Sequence, residues 1–144
     1  VILDAGCGFG EHTAALQCFN QNVYGVDMSA VKLEGELSAR KYAPCSEKLL
    51  VGNVCQLPFE NGFFDKVISM TLFASAHENL GFEFSLPDFL KVQQNMLAGI
   101  KRALKPGGTY LIFDNSSIRN LNFSDFEKIS GSGLSLALKS RHNT

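Results

Sequence analysis

Several things are missing from this 144-residue chain, and each absence narrows what it can be. Its four cysteines, Cys7, Cys18, Cys45 and Cys55, form no C-x-x-C pair. Zinc sites show paired ligands at short spacing, so no metal site is expected. Reduced thiols in an intracellular, cytoplasmic protein are the expected state. There is no basic run, and the formal net charge is −1. That argues against a nucleic-acid partner. No apolar stretch reaches the ~18–20 residues that span a bilayer. No signal peptide, internal repeat or low-complexity segment is visible. The chain opens on Val1, already inside a strand, and so reads as a piece of a longer protein, truncated at both ends.

What is present is ordinary globular material, 45% hydrophobic and 19% charged. The length suggests one domain over 1–144, with a core over 1–114 and a partial C-terminal part over 115–144. The first ten residues organise the rest. Val1-Ile2-Leu3 reads as the end of a buried strand. Asp4 follows, then Gly6, Gly8 and Gly10 at alternate positions, then a helix over 11–19. A strand, a glycine turn and a helix N-terminus form a ligand cradle, because glycine admits close approach and the first helical N–H groups are unpaired. A carboxylate at a buried strand tip costs solvation unless satisfied. A cationic or amine-bearing ligand would satisfy Asp4.

A second short apolar strand, 23–26, ends in Asp27. In βαβ sites an acid about 20 residues beyond the glycine loop takes ribose hydroxyls. A carboxylate accepts two hydrogen bonds at once, which suits a vicinal diol. Ser29 is the better cap for the next helix, leaving Asp27 free. That helix is expected over 29–42, with Ala30, Leu33 and Leu37 inward and Pro44 ending it. Leu49-Leu50-Val51 is a third strand, followed by Gly52-Asn53-Val54, and Lys66 to Met70 a fourth. Asp65 reads as structural, at that strand's start. Ser85, with Asp88 three residues on, opens a long helix striped by Phe89, Val92, Met96, Ile100 and Ala103. Pro106-Gly107-Gly108 stops it, and 109–113 is a fifth strand ending in Asp114-Asn115. A short helix is expected over 123–129, broken by Gly131-Ser132-Gly133. Leu134, Leu136 and Leu138 alternate as a sixth strand. The whole predicts an α/β, Rossmann-like, doubly wound and mostly parallel sheet with helices on both faces. Asp4, Asp27 and Asn53 then share one sheet edge.

Leu3-Asp4-Ala5-Gly6-Cys7-Gly8-Phe9-Gly10, Val23-Tyr24-Gly25-Val26-Asp27-Met28-Ser29, Gly52-Asn53-Val54 with Leu57-Pro58-Phe59 and Phe64-Asp65, and Leu104-Lys105-Pro106-Gly107-Gly108 stand in order. In these the chain resembles a class I S-adenosylmethionine-dependent methyltransferase. It is most similar to the methyltransferase type 11 group, which includes quinone-biosynthesis enzymes. The resemblance implies S-adenosylmethionine as cofactor. It implies that Gly6, Gly8 and Gly10 cradle the methionine part, that Asp4 holds its amino end, and that Asp27 takes the ribose. By the same resemblance Met28 packs on adenine, Asn53 replaces the usual Asp at the adenine amino group, and Val54 offers backbone to the adenine edge. Ser69 and Met70 would lie near the reacting methyl. His77 falls two residues beyond the place where the family often has a His. The family's covering helices before the first strand are absent, and its closing hairpin looks incomplete.

No general base or other catalytic residue stands out. There is no Asn/Asp-Pro-Pro-aromatic run and no Pro-Cys nucleophile, so a small-molecule or lipid-like acceptor is favoured. Phe59, Phe63, Phe73, Phe82 and Phe84 are candidates to line its pocket. A nicotinamide oxidoreductase would want a small residue at Glu11. A non-catalytic binding or scaffold module on the same fold is the remaining alternative.

Overall fold

The computed structural model describes residues 1–80, 83–114, 118, 120–132 and 135–141. Among them seven strands make one sheet in the order β3-β2-β1-β4-β5-β7-β6. Strands β1 (Ile2–Ala5), β2 (Val23–Asp27), β3 (Leu49–Val51), β4 (Phe64–Met70) and β5 (Leu104–Phe113) run parallel. Strand β7 (Ser135–Ser140) pairs antiparallel with β5, and β6 (Phe126–Ser132) with β7. The expected doubly wound sheet is therefore present.

Successive residues of a strand face opposite sides, and β1 shows how both faces are used. Leu3 and Ala5 are fully buried in the main core, with Met96, Leu97 and Ile100 of α3 (Leu86–Ala103). Between them Asp4 turns the other way, to Thr13 of α1 (Glu11–Gln17). Helices α1 and α3 thus cover opposite faces. Helix α3 starts as the sequence predicts. Ser85 Oγ accepts from Asp88 N–H and the Asp88 carboxylate accepts from Ser85 N–H, a complete capping box.

Three expectations are corrected. The helix over 29–42 is two pieces, α2 (Ala30–Glu34) and a single 3-10 turn, Ala39–Lys41. Gly35 takes an extended conformation after Glu34, and Ser38 caps the second turn through Arg40 N–H. Leu33 and Ala39 are buried, but Leu37 and Val31 are exposed, so the apparent stripe does not face the core. Secondly, β5 begins at Leu104, directly after α3, so Pro106-Gly107-Gly108 is an irregularity inside the strand. It lies where the β4–β5 register shifts between Phe64 and Lys66. Thirdly, the short helix over 123–129 is absent. Phe126–Ser132 is a strand, and with β7 it completes the closing hairpin. Only Phe126 of this strand is buried, so it carried no apolar period to read, and pairing with β7 decides its state. Gly81, Phe82, Asn115, Gly133, Leu134 and the tail 142–144 lie outside the described residues.

Asp65 sits at the amino end of β4, away from the strands' carboxyl ends. A hydrogen bond from Lys105 Nζ at 2.8 Å holds its carboxyl below the usual carboxylate range. Among the described residues, no helix is long and apolar enough to cross a membrane.

Helix α3 also supports the wall that carries Asn53. A Cβ built on Gly99 would come within 2.1 Å of the Val54 carbonyl oxygen. Gly99→Ala is expected to destabilise the fold by about 1–3 kcal/mol through this backbone clash. A lowered urea midpoint with unchanged slope checks it, and an unchanged midpoint contradicts the close packing.

Candidate functional site

The parallel strand order reverses between β1 and β4, and ligands bind in such sheets at the carboxyl ends beside that point. The loop after β1 is shaped by glycine there. Gly6 and Gly8 have φ of 73° and 59°, which L side chains rarely adopt. A Cβ on Gly8 would meet nothing within 4 Å, whereas one on Gly6 would strike Leu72 Cδ1 at 2.8 Å. Gly8 therefore borders open space, and Gly6 is pinned against the segment after β4.

Asp27, at the end of β2, fixes this loop. Its Oδ2 accepts from Gly8 N–H at 3.0 Å, and its Oδ1 accepts from Ser29 N–H at 2.8 Å. Ser29 does cap α2, accepting from Lys32 N–H. The carboxylate is therefore not free, as the sequence suggested, but tied on both oxygens. Each oxygen keeps a second lone pair for a ligand.

A narrow cleft with a volume of about 120 Å³ opens beside Asp27. Gly6, Gly8, Asp27 and Met28 form one side. Gly52, Asn53, Val54 and Met96 form another, and Met70, Thr71, Leu72 and Ser75 a third. Asn53 Oδ1 accepts from Cys55 N–H at 2.9 Å, capping the 3-10 turn Val54–Gln56, and retains one lone pair for a donor. Lys32 and Glu78 also line the cleft, and Lys32 Nζ lies 3.8 Å from Glu78 Oε1.

A second cavity adjoins it across the glycine loop, lined by Asp4, Cys7, Phe9, Glu11 and His12. Gly6, Gly8, Met70 and Thr71 line both. Asp4 is 4% exposed and accepts from Thr13 Oγ1 at 2.7 Å. Burial raises its pKa, the Thr13 bond and His12 partly offset this, and Asp27 adds to it. Among the described residues no salt bridge holds the carboxylate, and an ammonium group there would stabilise its charged form. Burial likewise pushes the neighbouring Cys7 thiol up, so it is no nucleophile.

Of the residues singled out from sequence, Asp4, Gly6, Gly8, Asp27, Met28, Asn53, Val54 and Met70 border these two cavities. Gly10 does not. It is the N-cap of α1, packed against Leu49 and Ala39. Ser69 is fully buried, its hydroxyl 2.7 Å from that of Tyr110. The His77 ring bonds the Ala74 carbonyl within its own 3-10 segment, Ala74–Asn79. The described phenylalanines of the expected set are also elsewhere. Phe59 and Phe63 pack with Tyr24 and Phe64, Phe73 is buried, and Phe84 stacks on Phe89.

Reading the sequence missed Thr71, Lys32 and Glu78. Lys32 follows Asp27 by little more than one helical turn, which is a usable signal. Thr71 gave none, because its distinction is in the backbone. It is the one non-glycine residue among those described with positive φ, 57°. For a β-branched residue this is a true outlier, costing about 1–3 kcal/mol.

Asp27, Met28 and Val54 thus line one cavity and Asp4 the one beside it. Residues 3–112 match a family described as a methyltransferase domain. The chain is 33% identical over 120 residues to the demethylmenaquinone methyltransferase of Lactococcus lactis, covering 80% of this chain and 42% of that protein. It is 32% identical over 119 residues to that of Geobacillus stearothermophilus, covering 79% and 44%. The chain thus spans less than half the length of these curated relatives. Among solved structures, the PH0226 protein from Pyrococcus horikoshii superposes with a TM-score of 0.68 at 22% identity, over 98% of this chain and 81% of that one. At that identity the likeness is one of fold.

The raised pKa of Asp4 has a consequence for stability. Folding favours the protonated carboxyl, so the contribution of Asp4 is fully present below its ordinary value near 3.8 and declines as pH rises through its folded value. Asp4→Asn keeps a neutral group of the same shape. Relative to that variant, the wild type should lose stability as pH rises from 4 towards neutrality, read as urea midpoints across the range. A difference that stays flat or grows with pH contradicts the assignment.

Proposed function

The chain belongs to the methyltransferase domain family, and on that premise we propose that it holds S-adenosylmethionine and directs its methyl group to a small-molecule or lipid-like acceptor. The observation that carries this is the glycine loop tied to the Asp27 carboxylate and open to the cleft between Met28 and Val54. When bound, the cofactor supplies a methyl group already activated on a sulfonium.

The protein's part is then to bind and to orient. The spare lone pairs of Asp27 accept from the two ribose hydroxyls while its other lone pairs keep Gly8 and Ser29 in place. Met28 and Val54 flank the adenine, and Asn53 Oδ1 accepts from its amino group. Asp4 draws the amino end of the methionine part, which relieves its own buried charge. Gly8 lets the backbone come close. Holding donor and acceptor in line converts a two-body encounter into a unimolecular step, and this alone supplies a large share of the acceleration. A general base is required only where the acceptor must lose a proton, and no residue is assigned that role.

The names of the curated relatives suggest the acceptor class, a quinone-type aromatic. The rim of the strands' carboxyl ends suits an apolar ring. Phe9, Met28, Met70 and Phe113 all stand partly exposed there.

Titration calorimetry with S-adenosylhomocysteine tests the reading. The wild type is expected to bind, and Asp27→Ala to weaken binding about 100-fold, the loss of two hydrogen bonds to a charged acceptor. Folded wild type that gives no heat of binding overturns the cofactor assignment. Equal affinity in both proteins moves the ribose away from Asp27.

A further inference from the structure

The two cavities meet at four residues, Gly6, Gly8, Met70 and Thr71. The role of this junction rests on the proposed cofactor binding. If the adenosine part lies over Asp27, Met28 and Val54, and the amino end lies by Asp4, the sulfur that joins the two parts crosses the junction. Gly6 and Gly8 offer no side chain there, and Met70 offers an apolar one. Thr71 brings the only hydroxyl among these four.

Thr71 is held where it is. Its N–H donates to the Phe113 carbonyl at 2.7 Å, and its carbonyl accepts from Ser75 N–H at 3.2 Å. At φ 57° a glycine would sit without strain, yet the position carries a β-branched side chain. That side chain is exposed, and its hydroxyl makes no hydrogen bond among the described residues. A turn alone accounts for the backbone, since it brings Leu72 under Gly6 and carries Phe73 into the core. It does not account for a strained threonine in place of glycine. Strain kept at a junction of two cavities points to a side chain in use.

We propose that the Thr71 hydroxyl oxygen contacts the bound sulfonium, so that the site favours the charged methyl donor over its neutral thioether product. An oxygen lone pair is attracted to a sulfonium and to the polarised C–H bonds of its methyl group. Against a neutral sulfide it meets another lone pair and gains little. The residue therefore sets a ratio of affinities, donor over product, rather than affinity as such.

The test measures dissociation constants for S-adenosylmethionine and S-adenosylhomocysteine by calorimetry, with melting temperatures, on the wild type and on Thr71→Val, Thr71→Ser and Thr71→Gly. Thr71→Val keeps shape and strain but loses the oxygen. It is expected to weaken donor binding about tenfold, the worth of one contact to a charged group, while product binding changes little. Thr71→Ser keeps the wild-type ratio. Thr71→Gly melts several degrees higher and loses the ratio as the valine variant does. Loss of both affinities in equal measure, or no change in either, overturns the proposal and leaves Thr71 a turn residue. A wild type that binds neither ligand overturns the cofactor reading itself, and the proposal with it.

Discussion

Two hydrogen bonds to one carboxylate organise the ligand-facing end of this protein. Asp27 ends β2, yet it accepts from Gly8, which follows β1, and from Ser29, which opens α2. The segments that follow two neighbouring strands, β1 and β2, are thereby held together. The parallel register supplies the rest, since Asp4 pairs with Gly25 and Ala5 with Val26. Gly6 and Cys7 both donate to the Val26 carbonyl, so the glycine loop is laced to β2 along its length. Backbone hydrogen bonds to an ionised acceptor are stronger than neutral ones. They also fix the direction of the lone pairs that remain, which is the sense in which the site is built before any ligand arrives.

The opposite wall is held by packing instead. Helix α3 lies against the 3-10 turn that carries Val54, with Gly99 close to the Val54 carbonyl. Gln93, fully buried on the same helix, donates to the Phe73 carbonyl and so fixes the segment after β4. Asp114 reaches that segment from the end of β5, accepting from Phe73 N–H at 2.9 Å. The two walls thus differ in kind. A polar tie holds the Asp27 side, and helix packing with buried amide and carboxylate bonds holds the other. Asp4 is buried with its one hydrogen bond from Thr13, and burial holds its pKa above the usual value.

Most of the frame was legible from the residues. Strand ends were marked by acids and glycines, because parallel strands bury near-continuous apolar runs and expose polar groups only at their tips. Ser85 and Asp88 announced α3 because a capping box is local chemistry. Failures came where tertiary contacts override local preference. Leu37 sits at helical spacing from Leu33 but faces solvent, since Gly35 breaks the chain between them. Strand β6 has one buried residue, so nothing in its pattern distinguished a strand from a helix. The site divides in the same way. Asp4, Asp27 and Asn53 border the two cavities as expected, because polar side chains at the ends of apolar strands mark the sheet edge. Gly10 looked like its two neighbours but packs on Leu49, and Ser69 turned inward to Tyr110. Thr71 could not be found at all, because a backbone angle leaves no mark on composition or period.

The loop tied to Asp27, the Val54 turn and the segment after β4 together make one ligand site in this reading of the molecule. Amide resonances of an isotope-labelled sample, titrated with S-adenosylhomocysteine, test that unity most directly. Gly6, Gly8, Met28, Val54 and Leu72 are expected to shift together along one binding curve, while the amides of β6 and β7 stay in place. Shifts confined to the hairpin, or different midpoints for Gly8 and Val54, would contradict it.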